Sequence, residues 1–120
     1  MAEKILMKAG SESIYATLND TVAAQDFRKR LPLTLCGSRG KYSYSCNVAI
    51  GRSDPEEKQC GWRNGDISVA GGFLDIYFAG GRQSKNYPDV MVVAHIEKEN
   101  LQIIRGLPGK VKFEILRQED

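Results

Sequence analysis

The sequence predicts a mostly β protein: a closed eight-stranded barrel with one main helix near residues 20–30. Three observations carry that expectation. Short runs with period-two alternation recur along the chain, as in Tyr42, Tyr44 and Cys46 against Ser43, Ser45 and Asn47. Glycine-rich turns separate such runs, among them Gly71-Gly72 and Gly80-Gly81. One segment has clear helical spacing, with Ala23, Phe27 and Leu31 at i, i+4 and i+8. Many short strands with glycine-rich turns favour a barrel, and the early helix would cover one end of it.

The elements follow in order. Lys4 to Lys8 and Glu12 to Leu18 read as strands joined by a turn at Gly10-Ser11. Asn19, Asp20 and Thr21 offer helix N-caps, and Pro32 ends the helix because proline lacks the donor. Leu33 to Cys36 is a short strand, Gly37 to Gly40 a turn, and Lys41 to Ile50 the next strand. Ser53 to Glu57 has the pattern of a capped helical turn. Ile67 to Ala70 and Phe73 to Phe78 flank Gly71-Gly72, a two-residue hairpin turn. Ala79 to Asp89 is a long polar loop. Val90 to Ile96 is apolar almost throughout and so buried on both faces or central in the sheet. Lys98 to Arg105 makes a short helix, and Val111 to Leu116 is the last strand.

Bulk properties narrow the function classes. The 120 residues suit a single domain spanning 1–120. A net charge of +2 gives no nucleic-acid signal. No run approaches the ~18 apolar residues of a membrane helix. The N-terminal residues lack a signal-peptide pattern, so a cytoplasmic location is the default expectation. Cys36, Cys46 and Cys60 are odd in number and widely spaced, which disfavours a disulfide framework or zinc site. Three reduced, partly buried thiols are expected. The sharper alternative is a redox-active Cys60, beside Gly61 and Trp62.

Several phrases, in this order, resemble the cyclophilin-like barrel family, specifically its small prokaryotic cyclophilin-like domain proteins. They are Asp26 to Leu35 (DFRKRLPLTL), Asn64 to Ile67 (NGDI), Leu74 to Phe78 (LDIYF), Ala94 to Glu97 (AHIE) and Gly109 to Phe113 (GKVKF). The resemblance runs from about Ile14 to Ile115. It implies an outer groove on the barrel, which in the prolyl-isomerase cyclophilins holds an arginine on a central strand. That arginine donates to the prolyl nitrogen as the amide loses planarity. Here the matching strand reads Tyr42 to Asn47 without an arginine, and the single histidine, His95, lies in an apolar strand rather than a rim loop. The isomerase residues do not carry over.

Other constellations are weaker. His95 has no nucleophile elbow to serve, so a hydrogen-bonded structural role is expected. One histidine and scattered cysteines supply no metal set, and the glycine pairs lack a phosphate-loop frame, so no metal or cofactor is expected. Asp54, Glu56 and Glu57 read as a solvated helix start. Arg28, Lys29 and Arg30 close the main helix, where cations meet the negative end of its dipole; the alternative is an anion patch. The aromatic set is the most informative. Tyr42, Tyr44, Trp62, Phe73, Tyr77 and Tyr87, with Arg82, are the candidate lining of an outer groove, against the alternative of core and isolated surface rings. Leu74, Ile76 and Phe78 should point into the barrel and Tyr77 outward.

The sequence therefore leans away from an enzyme. It favours a binding module for a peptide or small organic ligand, with a divergent prolyl isomerase as the alternative. Neither nucleic acid nor membrane is an expected partner. The ligand and the oligomeric state are open.

Overall fold

The computed structural model describes residues 3–118. Eight strands run in chain order: β1 (Lys4–Ala9), β2 (Glu12–Leu18), β3 (Leu33–Arg39), β4 (Ser43–Asn47), β5 (Asp66–Ala70), β6 (Phe73–Tyr77), β7 (Val92–Ile96) and β8 (Lys110–Arg117). They close an antiparallel barrel in the order β1-β2-β7-β5-β6-β4-β3-β8, with β8 returning to β1. The helices are α1 (Val22–Lys29) and α2 (Leu101–Arg105). Closure removes the free edges that an open sheet of this length would expose.

The alternation read from the sequence sets which side chains enter. Leu74, Ile76 and Phe78 are buried in the main core with Ile67, Phe113, Ile115 and Met7. Asp75 and Tyr77 lie on the outer side and are half-buried. Gly71 and Gly72 both have positive φ, +60° and +86°, as a two-residue hairpin between β5 and β6 requires. Strand β7 is buried on both faces because a bulge opposite Ile67 and Ser68 turns Val92 outward while Val93 stays inside. The outward Val92 then packs with Val90 and Trp62 in a second, smaller cluster outside the barrel.

Three boundaries differ from expectation. Strand β3 continues through Gly37 to Arg39 instead of turning there. A Cβ at Gly37 would come within 2.8 Å of the Phe113 ring and 3.1 Å of Cys46 Sγ, so this glycine makes room inside the barrel. Strand β4 is confined to Ser43–Asn47, and residues 48–54 cross toward α1. The polar loop after β6 contains a 3-10 turn, Gly81–Asn86.

Helix α1 is capped by the Thr21 hydroxyl, which accepts the Ala24 amide at 3.1 Å, and it buries Ala23, Ala24 and Phe27 over one end of the barrel. Its basic end is used structurally. Arg28 pairs with Glu3, and Arg30 pairs with Asp26 at 3.3 Å and donates to the Ala49 carbonyl at 2.7 Å. The opposite end is closed by α2 and the residues after it, where Arg39 donates to the carbonyls of Arg105 and Leu107. No helix among the described residues is long and apolar enough to cross a membrane.

Candidate functional site

The outer cluster centres on Trp62, which is only 7% exposed. Its ring stacks on Tyr77 at 4.2 Å and 14° between planes. Tyr87 lies tilted against it at 5.3 Å and Tyr42 at 5.9 Å. The indole Nε1 donates to the Ala79 carbonyl at 2.8 Å, satisfying the one polar atom of the ring.

The chain around Trp62 is held from both directions. Gln59 and Val90 exchange backbone hydrogen bonds, both 2.9 Å, and the Gly61 amide donates to the Tyr87 carbonyl at 2.8 Å. Buried Ser84 accepts the Trp62 amide at 2.9 Å and donates to the Gly81 carbonyl at 2.7 Å. Two glycines make these approaches feasible. Gly61 has φ +76°, and a Cβ there would lie 2.8 Å from Ser84 Oγ. Gly80 has φ +79°, and a Cβ there would strike the Tyr42 ring.

Beside this clamp lies an open depression of about 470 Å³. Its lining comes from two segments, Cys60, Trp62, Arg63 and Asn64 from one and Arg82 and Lys85 from the other. The volume falls in the range that takes small organic ligands, roughly 300–1,000 Å³. A smaller cavity of about 290 Å³ beside α1 has mixed charge, with Arg28 and Lys29 facing Glu3 and Asp20.

Of the expected groove residues, Tyr42, Trp62, Tyr77 and Tyr87 come together, and Arg82 lines the same depression as Trp62. Two do not join them. Tyr44 faces into the barrel and is fully buried, edge-on to Phe78 at 5.6 Å and Phe113 at 5.8 Å. Its neighbour Tyr42 precedes β4, so the two tyrosines do not share one strand face as expected. Phe73 is 50% exposed, but it starts β6, the strand that Tyr77 ends. Four residue steps along the strand separate them, about 13 Å.

The sequence reading missed a pair next to the cluster. Asp66, 1% exposed, accepts from His95 Nδ1 at 2.7 Å and accepts the Arg63 amide at 2.7 Å. An aspartate closing a turn such as Asn64-Gly65-Asp66 commonly bonds nearby backbone donors; its cross-strand partner is not a local signal, because it depends on the β5–β7 register. Asp66 is the only hydrogen-bond partner of the His95 imidazole among the described residues, which gives the ring a fixed orientation. Burial pushes the Tyr77 phenol above its ordinary pKa of 10.0; Asp75 and Asp66 add to the rise, and a hydrogen bond with Ser68 offsets part of it.

The cysteines also depart from expectation. Cys36 and Cys60 are exposed and only Cys46 is buried. Cys36 alternates outward on β3 and Cys60 sits on the surface loop, whereas Cys46 points into the barrel. Among the described residues, no three His, Cys, Asp or Glu side chains gather in a way that could hold a metal ion.

A family model described as the cyclophilin-like family matches residues 7–116 of the chain. A comparison with curated proteins finds no match.

Proposed function

Since the chain belongs to the cyclophilin-like family, and family membership alone does not fix an activity, we propose from the site itself that it is a binding module. Its ligand is a peptide segment or small organic molecule, held in the depression beside Trp62. The observation that carries this reading is the clamp around Trp62. A large aromatic is fixed by stacking, by its Nε1 bond and by the Ser84 hydroxyl, directly beside an open space of ligand size. A rigid wall of this kind lowers the ordering cost of binding. Tyr42, Tyr77 and Tyr87 support the wall, and Arg82 supplies a polar contact. The reading takes residues 1–120 as a single domain. Exposed thiols at Cys36 and Cys60 favour a reducing, cytoplasmic setting.

The test is a titration followed by Trp62 fluorescence and by amide NMR shifts, against proline peptides, nucleotides and flavins. A saturable shift confined to residues 59–64 and 81–87 is expected for at least one class. No response to any class overturns the reading. The isomerase alternative lacks an outward arginine on β4, where Ser43, Ser45 and Asn47 stand instead. A protease-coupled assay should therefore show X-Pro isomerisation at its uncatalysed pace of tens to hundreds of seconds. Acceleration would replace the binding reading with the catalytic one.

A further inference from the structure

The depression is cationic, and its charge is unbalanced. Arg63, Arg82 and Lys85 all line it, and none of its lining residues is acidic. Arg82 and Lys85 have no ion-pair partner among the described residues. Arg63 lies 3.4 Å from Asp66, but that carboxylate is 1% exposed and already engaged by His95 and by the Arg63 amide, whereas the Arg63 side chain is 73% exposed. The remaining polar groups point the same way. Asn64 Oδ1 accepts the Gly81 amide at 3.0 Å, which leaves the side-chain NH₂ as the free end, a donor.

The local backbone concentrates this charge. Arg82 and Lys85 are three residues apart in the 3-10 turn Gly81–Asn86, and side chains at i and i+3 of such a turn eclipse one another. Two like charges are thus held on one face, an arrangement that disfavours the free protein. The turn does not relax from it because buried Ser84, between them, is fixed to Gly81 and Trp62. The low-dielectric ring of Trp62 in the lining of the depression strengthens the field there. The cavity beside α1 shows the contrast, since there Arg28 is neutralised by Glu3.

We propose that the depression recognises a small organic anion, through a phosphoryl or carboxylate group bound by Arg82, Lys85 and Arg63. This inference rests on the binding reading above and names the ligand class of that same site. Two guanidinium forks match the paired oxygens of either group, and the ammonium adds a point charge.

The experiment compares adenosine monophosphate with adenosine, and citrate with an uncharged polyol, by calorimetry and by amide NMR at low and at moderate salt. The anionic member of at least one pair should bind, with shifts at residues 60–64 and 81–85 and weaker affinity at higher salt. A phosphate-only or citrate-only response identifies which anion source the site takes. The double variant Arg82→Gln, Lys85→Gln should lose about tenfold or more in affinity, with an unfolding midpoint no lower than that of the wild type. Equal binding of adenosine and its monophosphate, or binding of a neutral proline peptide with neither anion, overturns the anion inference and leaves the binding reading standing. Silence from every probe overturns both. An oligonucleotide that binds where the small anions do not also overturns the inference, in favour of a nucleic-acid surface.

Discussion

The hydroxyl of Tyr44 reaches from inside the barrel to the carbonyl of Leu107, 2.7 Å away, with the Pro108 carbonyl at 2.8 Å and Arg39 donating to it at 2.9 Å. Strand β4 is thereby tied to the segment that leads from α2 into β8. Tyr44→Phe keeps the ring in the core and removes the oxygen, leaving an Arg39 donor and two carbonyls less satisfied. Chemical denaturation should show a loss of about 1–3 kcal/mol, with ligand titrations of the outer site unaltered. An unchanged midpoint would mean that water replaces the hydroxyl at no cost.

Trp62 anchors the outer cluster, and two substitutions separate its roles. Trp62→Ala removes the stack on Tyr77 and exposes Val90 and Val92, for an expected loss of about 3–5 kcal/mol. Trp62→Phe retains a ring over Tyr77 but orphans the Ala79 carbonyl, and should cost distinctly less. Urea unfolding of both variants checks the order; equal losses would show that the Nε1 bond, not the stack, dominates.

Gly80 tests whether the wall depends on one backbone position. Alanine there must hold a left-handed φ of +79° while its methyl meets the Tyr42 ring. The conformation alone costs roughly 1–2 kcal/mol, and Tyr42 must also move away from Trp62. Near-ultraviolet circular dichroism should lose aromatic signal in Gly80→Ala while far-ultraviolet strand signal persists. Gly10→Ala is the control, because its φ of +62° is similar but no atom lies within 4 Å of the added carbon. Identical effects in the two would refute the steric part of the argument.

Burial pushes the Cys46 thiol from 9.0 up to about 12, with Asp75 and Cys36 contributing. The folded state therefore favours the protonated thiol. Its contribution is fully present below pH 9 and is lost as the pH rises toward about 12, because the unfolded chain ionises first. Unfolding free energy, measured across that range, should fall more steeply for the wild type than for Cys46→Ala. At neutral pH an alkylating reagent should label Cys36 and Cys60 in the native protein and reach Cys46 only after unfolding.

Much of the barrel was legible because strand alternation is a local signal. Leu74, Ile76 and Phe78 reveal their common face without knowledge of their neighbours, and Gly71-Gly72 names its own turn. The errors fall where a residue's role is set by something distant in sequence. Gly37 reads as a turn glycine, yet its function is to admit Phe113, seventy-six positions later. Tyr42 and Tyr44 have the right spacing for one face, but β4 begins between them at Ser43, so one tyrosine joins the outer cluster and the other enters the core. For the site, an inventory of aromatics found four rings that meet. It included Arg82 but not the other two cations, because Arg63 and Lys85 become neighbours of Arg82 only when residues 59–64 pack against the Gly81–Asn86 turn.

The seam of the barrel also governs the order in which the protein can be assembled. Strand β8 pairs with β1 on one side and with β3 on the other, in five and six registered positions. Both β1 and β3 precede β8 in the chain, and each depends on that same later segment for a partner. Until Lys110–Arg117 docks, both carry unpaired backbone groups and uncovered apolar residues such as Met7 and Leu35. A folding intermediate that lacks β8 therefore exposes two strand edges at once and is prone to aggregate.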